Sequence, residues 1–332
     1  MFKFSTWFWP VLIISGIFIF LIYVPKEDCD CIKSVVNIDA PTNFFAMKFK
    51  KIDNINVASG RFPRMLEYVP ESAKQNDTGK YPLILFLHGY GALGNGTLKD
   101  ICRILFDGTG FEGGALPANL EWGNVPKVSM NGRDFEFIIL SPQYDDYEFP
   151  DKFPTSEDIN TFIDFALSRY PQIDSSRIYL TGISSGANLT LEFIASKEGF
   201  GKRIAAAAMS SVCGYVNTGW YIEKGILPEN VAKAQIPIWF IHAKEDDKDC
   251  PPIIPQEWVD GINENGGYPP RFTLLHSSDT LDPAYKTVRL KHNTWFRLYD
   301  PNFADTPNIY KWFLMHSRGP EGELITNTEA VQ

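Results

Sequence analysis

The chain has no surplus of positive charge: 31 Lys and Arg stand against 40 Asp and Glu, a net charge of −9 at pH 7. Binding a phosphate backbone needs a basic surface, so this balance excludes nucleic acid as a partner. Internal repeats and low-complexity blocks are also missing, which excludes a repeat architecture. Histidine is scarce, with five in 332 residues, so the search for a catalytic base is short. Cysteine is equally scarce and odd in number, so the five cannot all pair within the chain. A metal site is not expected either. His242, Asp246, Asp247 and Asp249 crowd into one short run that lacks the fixed ligand spacing of a metal-binding loop. No other cofactor is implied.

What is present suits a globular protein. Hydrophobic residues make up 44% and charged residues 21% of the chain, enough apolar side chain for a sizeable core. The length allows one large domain or at most two small ones. The chain divides into an apolar segment at 1–24, a linker at 25–40, a folded domain at 41–318 and a polar tail at 319–332.

Thr6 to Val24 is a run of nineteen residues, almost all apolar, broken only by Pro10, Ser15 and Gly16. A helix of that length rises about 28 Å, close to the hydrocarbon thickness of a bilayer. It has no polar face, and Trp7, Phe8 and Trp9 suit a membrane interface. The run is either a cleaved signal peptide or an uncleaved anchor. Its end, Leu21-Ile22-Tyr23-Val24-Pro25, offers only large residues, and the absence of a small-x-small cleavage pattern favours an anchor. Lys3 lies before the run, and Lys26, Glu27, Asp28 and Asp30 lie after it. That distribution favours an extracytoplasmic position in the cell envelope, with secretion after signal cleavage as the alternative. In such a compartment a cysteine pair can oxidise. Cys213 and Cys250 each follow an expected strand and are the candidate pair if those strands end on the same edge of the sheet; Cys29 and Cys31 sit in the polar segment just after the apolar run. The plainer reading of Cys102, Cys213 and Cys250 is three small buried hydrophobes.

Short apolar runs recur at Leu83–Leu87, Phe137–Leu140, Ile178–Leu180, Ala205–Met209, Ile238–Ile241 and Phe272–Leu275. They are continuous rather than alternating, as expected of parallel strands buried on both faces. Between them, Ser156 to Tyr170 places Ile159, Phe162, Ile163, Ala166, Leu167 and Tyr170 on one helical face. Thr155 with Asp158 forms a capping-box pattern and Pro171 ends the helix. A second helix is expected from Ser185 to Ser196. Strands alternating with helices predict an α/β fold: a mostly parallel central sheet with helices on both faces, its working residues at the carboxyl ends of the strands.

Gly182-Ile183-Ser184-Ser185-Gly186 matches G-x-S-x-G between the strand-like Arg177–Leu180 and a helix-like run. A strand-to-helix turn that sharp strains the serine backbone and admits only small neighbours. It exposes the Ser184 oxygen at a helix N-terminus, where the dipole favours a developing anion. His88-Gly89-Tyr90-Gly91 closes the Leu85–Leu87 strand, and the backbone N–H groups of Tyr90 and Ser185 are the candidates for an oxyanion site. His88 itself is read as holding the loop. In an order of serine, acid, then histidine, His292 fits best as the base and His276 is the fallback; His316 falls in the expected final helix. Asp246 is the better acid and Asp247 the second, with Glu245 and Asp249 read as solvated charges.

These blocks carry a family resemblance. Tyr81-Pro82-Leu83-Ile84-Leu85-Phe86-Leu87-His88-Gly89 resembles the opening of an esterase branch of the α/β-hydrolase superfamily. That branch includes polyhydroxybutyrate depolymerase-like, feruloyl and acetylxylan esterase-like proteins and predicted peptidases. Ser141-Pro142-Gln143, Arg177 to Ser184, the His242-to-Asp246 loop, His292-Asn293-Thr294-Trp295 and Ile309 to Leu314 are similar to its later blocks, in the same order. The resemblance implies Ser184 as nucleophile, Asp246 as acid, His292 as base and the Tyr90 and Ser185 backbone as oxyanion site. The chain departs from it at Ala243 and Lys291, where the family usually has glycine. It implies hydrolysis of a small-molecule or polysaccharide ester, such as an acetyl or feruloyl ester. Trp220, Tyr221 and Trp295 are candidates to line a sugar- or aryl-binding cleft, with a place in the core an equal alternative for such aromatics. A serine peptidase on the same triad is the alternative. An inactive envelope binding protein that keeps the fold is a further one.

Overall fold

The computed structural model describes residues 50–327 apart from 54, 56, 58–59, 76–77, 95–100, 102, 107–114, 122, 145–152, 217, 247–249, 277–291 and 303–306. The apolar run at 6–24, the linker, Cys29, Cys31, Cys102, Asp247, Asp249 and Lys291 lie outside the described residues. Among the described residues no helix is long and apolar enough to cross a membrane.

Strands β1 (Lys50–Asp53), β2 (Arg64–Tyr68) and β3 (Tyr81–Leu87) are followed by a small hairpin of β4 (Val128–Met130) and β5 (Arg133–Phe135). Then come β6 (Ile138–Gln143), β7 (Ile173–Ile183), β8 (Ala206–Ser210), β9 (Ile238–Ala243) and β10 (Arg271–Leu275). Eight of these form one sheet in the order β1-β2-β6-β3-β7-β8-β9-β10. The pairs β1–β2 and β2–β6 are antiparallel, and every pairing from β6 to β10 is parallel. This is the mostly parallel sheet that the continuous apolar runs predict. The two strands with no such run, β1 and β2, form the antiparallel margin.

Both faces of the sheet are covered, which is why the strands need no polar alternation. On one face Leu83, Leu85, Leu87, Leu180, Met209 and Phe240 join the main core. There they meet helices α1 (Ser156–Arg169), α2 (Ser185–Ile194) and, through Ile254, Trp258 and Ile262, the later helix Ile253–Glu264. On the other face Phe86 packs edge-on against Tyr299, Tyr179 stacks on Phe313, and Trp239 meets Trp312 edge-on. Tyr299 follows the short helix Trp295–Leu298, and Trp312 and Phe313 belong to the helix Ile309–Leu314.

Local chemistry sets the elements. At the start of α1 the Asp158 N–H donates to Thr155 Oγ1 at 3.3 Å and the Thr155 N–H donates to Asp158 Oδ2 at 2.7 Å, a reciprocal capping box. Ile159, Phe162, Ile163 and Ala166 are buried, as their spacing predicts. His316 departs from expectation: it lies after the last helix, at the start of β11 (His316–Arg318). The helix ends before it because this segment turns back to pair with β12 (Leu324–Thr326). That hairpin takes in residues from the stretch read as a polar tail. Arg318 anchors it, donating from Nε to the Ile204 carbonyl at 2.8 Å and from Nη1 to the Ala234 carbonyl at 3.0 Å.

Candidate active site

Ser184 sits where β7 ends and α2 begins, with φ 51° and ψ −120°. A positive φ is costly for a residue with a Cβ, so the surroundings must hold it. Its N–H donates to the Ser210 carbonyl at 3.0 Å, and its carbonyl accepts from the Asn188 N–H at 3.0 Å. The two flanking glycines are required by close approach. A Cβ on Gly182 would lie 2.2 Å from the Gly186 carbonyl oxygen, and one on Gly186 would lie 2.2 Å from the Leu87 oxygen and 2.5 Å from the His88 oxygen. The same closeness brings the turn up against the end of β3.

The segment after β3 is a short 3₁₀ turn, Tyr90–Ala92, entered through Gly89. His88 holds it. The Tyr144 N–H donates to His88 Nε2 at 3.3 Å, so the ring proton sits on Nδ1, which donates to the Gly89 carbonyl at 2.9 Å. The ring stacks on Tyr144 with centroids 3.8 Å apart, and the Tyr144 hydroxyl donates to the His88 carbonyl. Burial pushes the His88 imidazole down to about 4, only partly offset by the bond to Gly89. From the neighbouring strand, Gln143 donates from Nε2 to the Ala92 carbonyl at 3.0 Å. These contacts place the Tyr90 and Ser185 backbones at one end of the sheet, beside the Ser184 turn.

The other two residues arrive from far along the chain. The His292 side chain is about one-third exposed; its Nδ1–H donates to Asp246 Oδ2 at 2.9 Å, and its Nε2 accepts from Ser184 Oγ at 2.9 Å. An ionised carboxylate only accepts, which fixes this tautomer. Asp246 follows β9 in a turn closed by its own N–H donating to the Ala243 carbonyl at 3.2 Å. Burial alone would raise its carboxyl. Hydrogen bonds from His242 and His292 instead hold it below the usual carboxylate range. His276, the fallback base, is half exposed and lies 3.7 Å from Glu245.

Several supporting residues carried no signal in the sequence. Ser211, in a positive-φ conformation at the end of β8, donates from Oγ to the His292 carbonyl. Thr294 Oγ1 lies 2.7 Å from Ser210 Oγ and 2.9 Å from Ser211 Oγ, and donates to the Ile241 carbonyl at 3.3 Å. Together they pin the histidine loop across the ends of β8 and β9. A disulfide joins Cys213 to Cys250. The Cys213 N–H also donates to Asn188 Oδ1 at 2.7 Å on α2. Both sulfurs and a ring nitrogen of His292 lie within 4.8 Å of one another. The sulfurs are bonded to each other, so they offer no thiolate to a metal. Of the expected cleft aromatics, only Trp220 is exposed. Tyr221 and Trp295 are buried in the core, Trp295 meeting the His292 ring edge-on at 5.7 Å.

No protein-family model matches the chain, and no curated protein matches it in sequence. Solved structures do match. A thermostable esterase shares 23% identity over 82% of this chain at a TM-score of 0.52, and this chain spans 64% of that esterase. The chain has the α/β-hydrolase fold. Esterase 2 of Thermogutta terrifontis in its butyrate-bound form is similar at 12% identity, over 72% of this chain and 90% of that one, with a TM-score of 0.44. The acylaminoacyl peptidase of Pyrococcus horikoshii is similar at 15% identity, over 72% of this chain and 38% of that one, with a TM-score of 0.42.

Proposed function

We propose that this α/β-hydrolase-fold protein is a serine hydrolase that cleaves carboxylic esters, held at the outer side of a membrane by residues 6–24. The observation that carries the reading is the pair of 2.9 Å contacts linking Ser184 Oγ, His292 and Asp246 in one line. His292 Nε2 takes the hydroxyl proton as Ser184 Oγ attacks the ester carbonyl, and Asp246 steadies the imidazolium that forms. The oxyanion meets the Ser185 and Tyr90 N–H groups. His292 then returns the proton to the leaving alcohol, and a water molecule, activated the same way, releases the acid and restores Ser184. Acetyl and feruloyl esters of polysaccharides are the substrates that the family resemblance favours. The Cys213–Cys250 disulfide supports an oxidising, extracytoplasmic setting.

Labelling with a fluorophosphonate tests the reading. Wild type should label and Ser184→Ala should not, with ester turnover down at least about 10⁴-fold. Equal labelling of the two proteins overturns it. Turnover of short peptides but not of acetyl, feruloyl or p-nitrophenyl esters would leave the triad standing and replace the substrate class.

A further inference from the structure

We infer that His242 is a positioning residue for the triad, a second histidine whose single N–H fixes both Asp246 and the Cys250 carbonyl. The inference rests on the hydrolase reading above. His242 is the penultimate residue of β9 and its side chain is fully buried. Its Nε2 lies 2.7 Å from the Cys250 carbonyl oxygen and 3.1 Å from Asp246 Oδ2. Both partners are acceptors, so Nε2 must carry the proton and share it between them. Nδ1 is buried and makes no hydrogen bond among the described residues, so polar contact orients this ring through Nε2 alone.

The geometry gives Asp246 Oδ2 two ring donors, His292 on the exposed side and His242 on the buried side. Through this second contact His242 opposes any turn of Asp246 Oδ2 with the His292 imidazole as that ring moves during proton transfer. A second donor rooted in β9, a strand paired on both sides, makes the acid a fixed point against which His292 is oriented. The same proton reaches the disulfide-bonded Cys250, so the loop that carries Asp246 is closed at both ends. A core histidine that merely satisfied the Cys250 carbonyl would affect stability and leave the chemistry of folded protein unchanged. A positioning histidine affects kcat.

The test uses the full chain with His242→Leu, which removes the donor, and His242→Gln, whose amide N–H reaches a similar place. Donors to charged groups are worth enough to set the expected scale. His242→Leu should lower kcat and the fluorophosphonate labelling rate by about 10- to 100-fold while KM stays within about twofold. It should also shift the low-field proton resonance of His292 Nδ1–H. His242→Gln should recover most of the rate. Wild-type rates and an unmoved resonance in His242→Leu overturn the inference. If that variant does not fold, His242→Met carries the same measurement, and failure of both to fold assigns His242 a structural role and also overturns it. Absence of labelling in the wild type would instead sink the hydrolase reading itself.

Discussion

The candidate site is built from two halves that are held together differently. The nucleophile half, made of the β3 loop, the end of β7 and the start of α2, is fixed by backbone approaching backbone. Gly182 and Gly186 leave no room for a Cβ, and the strained Ser184 is held by the carbonyl of Ser210. The relay half, made of the loops after β8 and β9 and the segment 292–295, is fixed by side chains and a disulfide. Ser211, Thr294, His242 and the Cys213–Cys250 bond tie together segments that lie up to 84 residues apart. Backbone constraints leave a local pattern of small residues, whereas side-chain ties between distant segments leave none.

The largest effect should come from breaking the backbone half. Gly186→Ala forces a Cβ to within 2.2 Å of the Leu87 oxygen, a backbone atom in a buried strand that cannot move aside. We expect a loss of at least about 4 kcal/mol, with little folded protein recovered. A glycine of the relay half makes the contrast. A Cβ on Gly214 would meet the Tyr221 hydroxyl at 2.0 Å, the far end of a side chain, so Gly214→Ala should cost about 1–3 kcal/mol. Urea unfolding of the two variants decides the matter: equal losses would mean that the halves do not differ in this way.

This difference explains what could be read in advance. The central strands announced themselves because burial on both faces leaves continuous apolar runs such as Leu83–Leu87 and Ile238–Ile241. Helix α1 was legible from its cap and its 3.6-residue spacing. The Ser184 turn was legible because its glycines are neighbours in sequence. His292 and Asp246 could be ranked only by order along the chain and by resemblance, since nothing local separates Asp246 from Asp247. Strand β2, paired with β1 and β6, leaves no continuous apolar run because Arg64 and Glu67 stand among its apolar residues, although both are buried. Ser211, Thr294 and the role of His242 were invisible, because each acts through a partner brought close only by the fold. The apolar run Ile309–Leu314 gives no sign of where the chain turns back, so the sequence alone carries the helix on through His316, which the structure places in β11.

Cutting the relay half should have the next effect. The Cys213–Cys250 bond spans 37 residues, and in the chain-entropy view closing such a loop contributes about 4 kcal/mol. Cys213→Ser with Cys250→Ser should lower stability by up to that amount. Because the bond lies beside His292 and near α2, ester turnover should also fail at a lower urea concentration than the fold does. Coincident loss of activity and structure, at the wild-type midpoint, would show that the disulfide does not hold the relay half in place.

A smaller effect returns to the nucleophile half and depends on pH. Buried His88 accepts from the Tyr144 N–H at Nε2 and donates to the Gly89 carbonyl from Nδ1, so a second proton would turn Nε2 into a donor facing a donor. Burial accordingly lowers its pKa to about 4. The unfolded chain takes up this proton below about pH 6.5, and the folded chain only below about 4. The contribution is therefore complete above pH 6.5, is lost as the pH falls from 6.5 to 4, and then levels off. Its size is about 3 kcal/mol for a group this fully buried. His316, also pushed down to about 4, adds to the loss in the same window from the opposite face of the sheet, so wild type alone cannot assign it. His88→Gln removes the titrating ring and leaves His316 in place. The stability gap between wild type and His88→Gln, from urea unfolding at pH 7 and pH 4, should therefore narrow by about 3 kcal/mol on acidification. A constant gap would show that the β3 loop does not depend on the protonation of His88, and that the nucleophile half stands on its glycines alone.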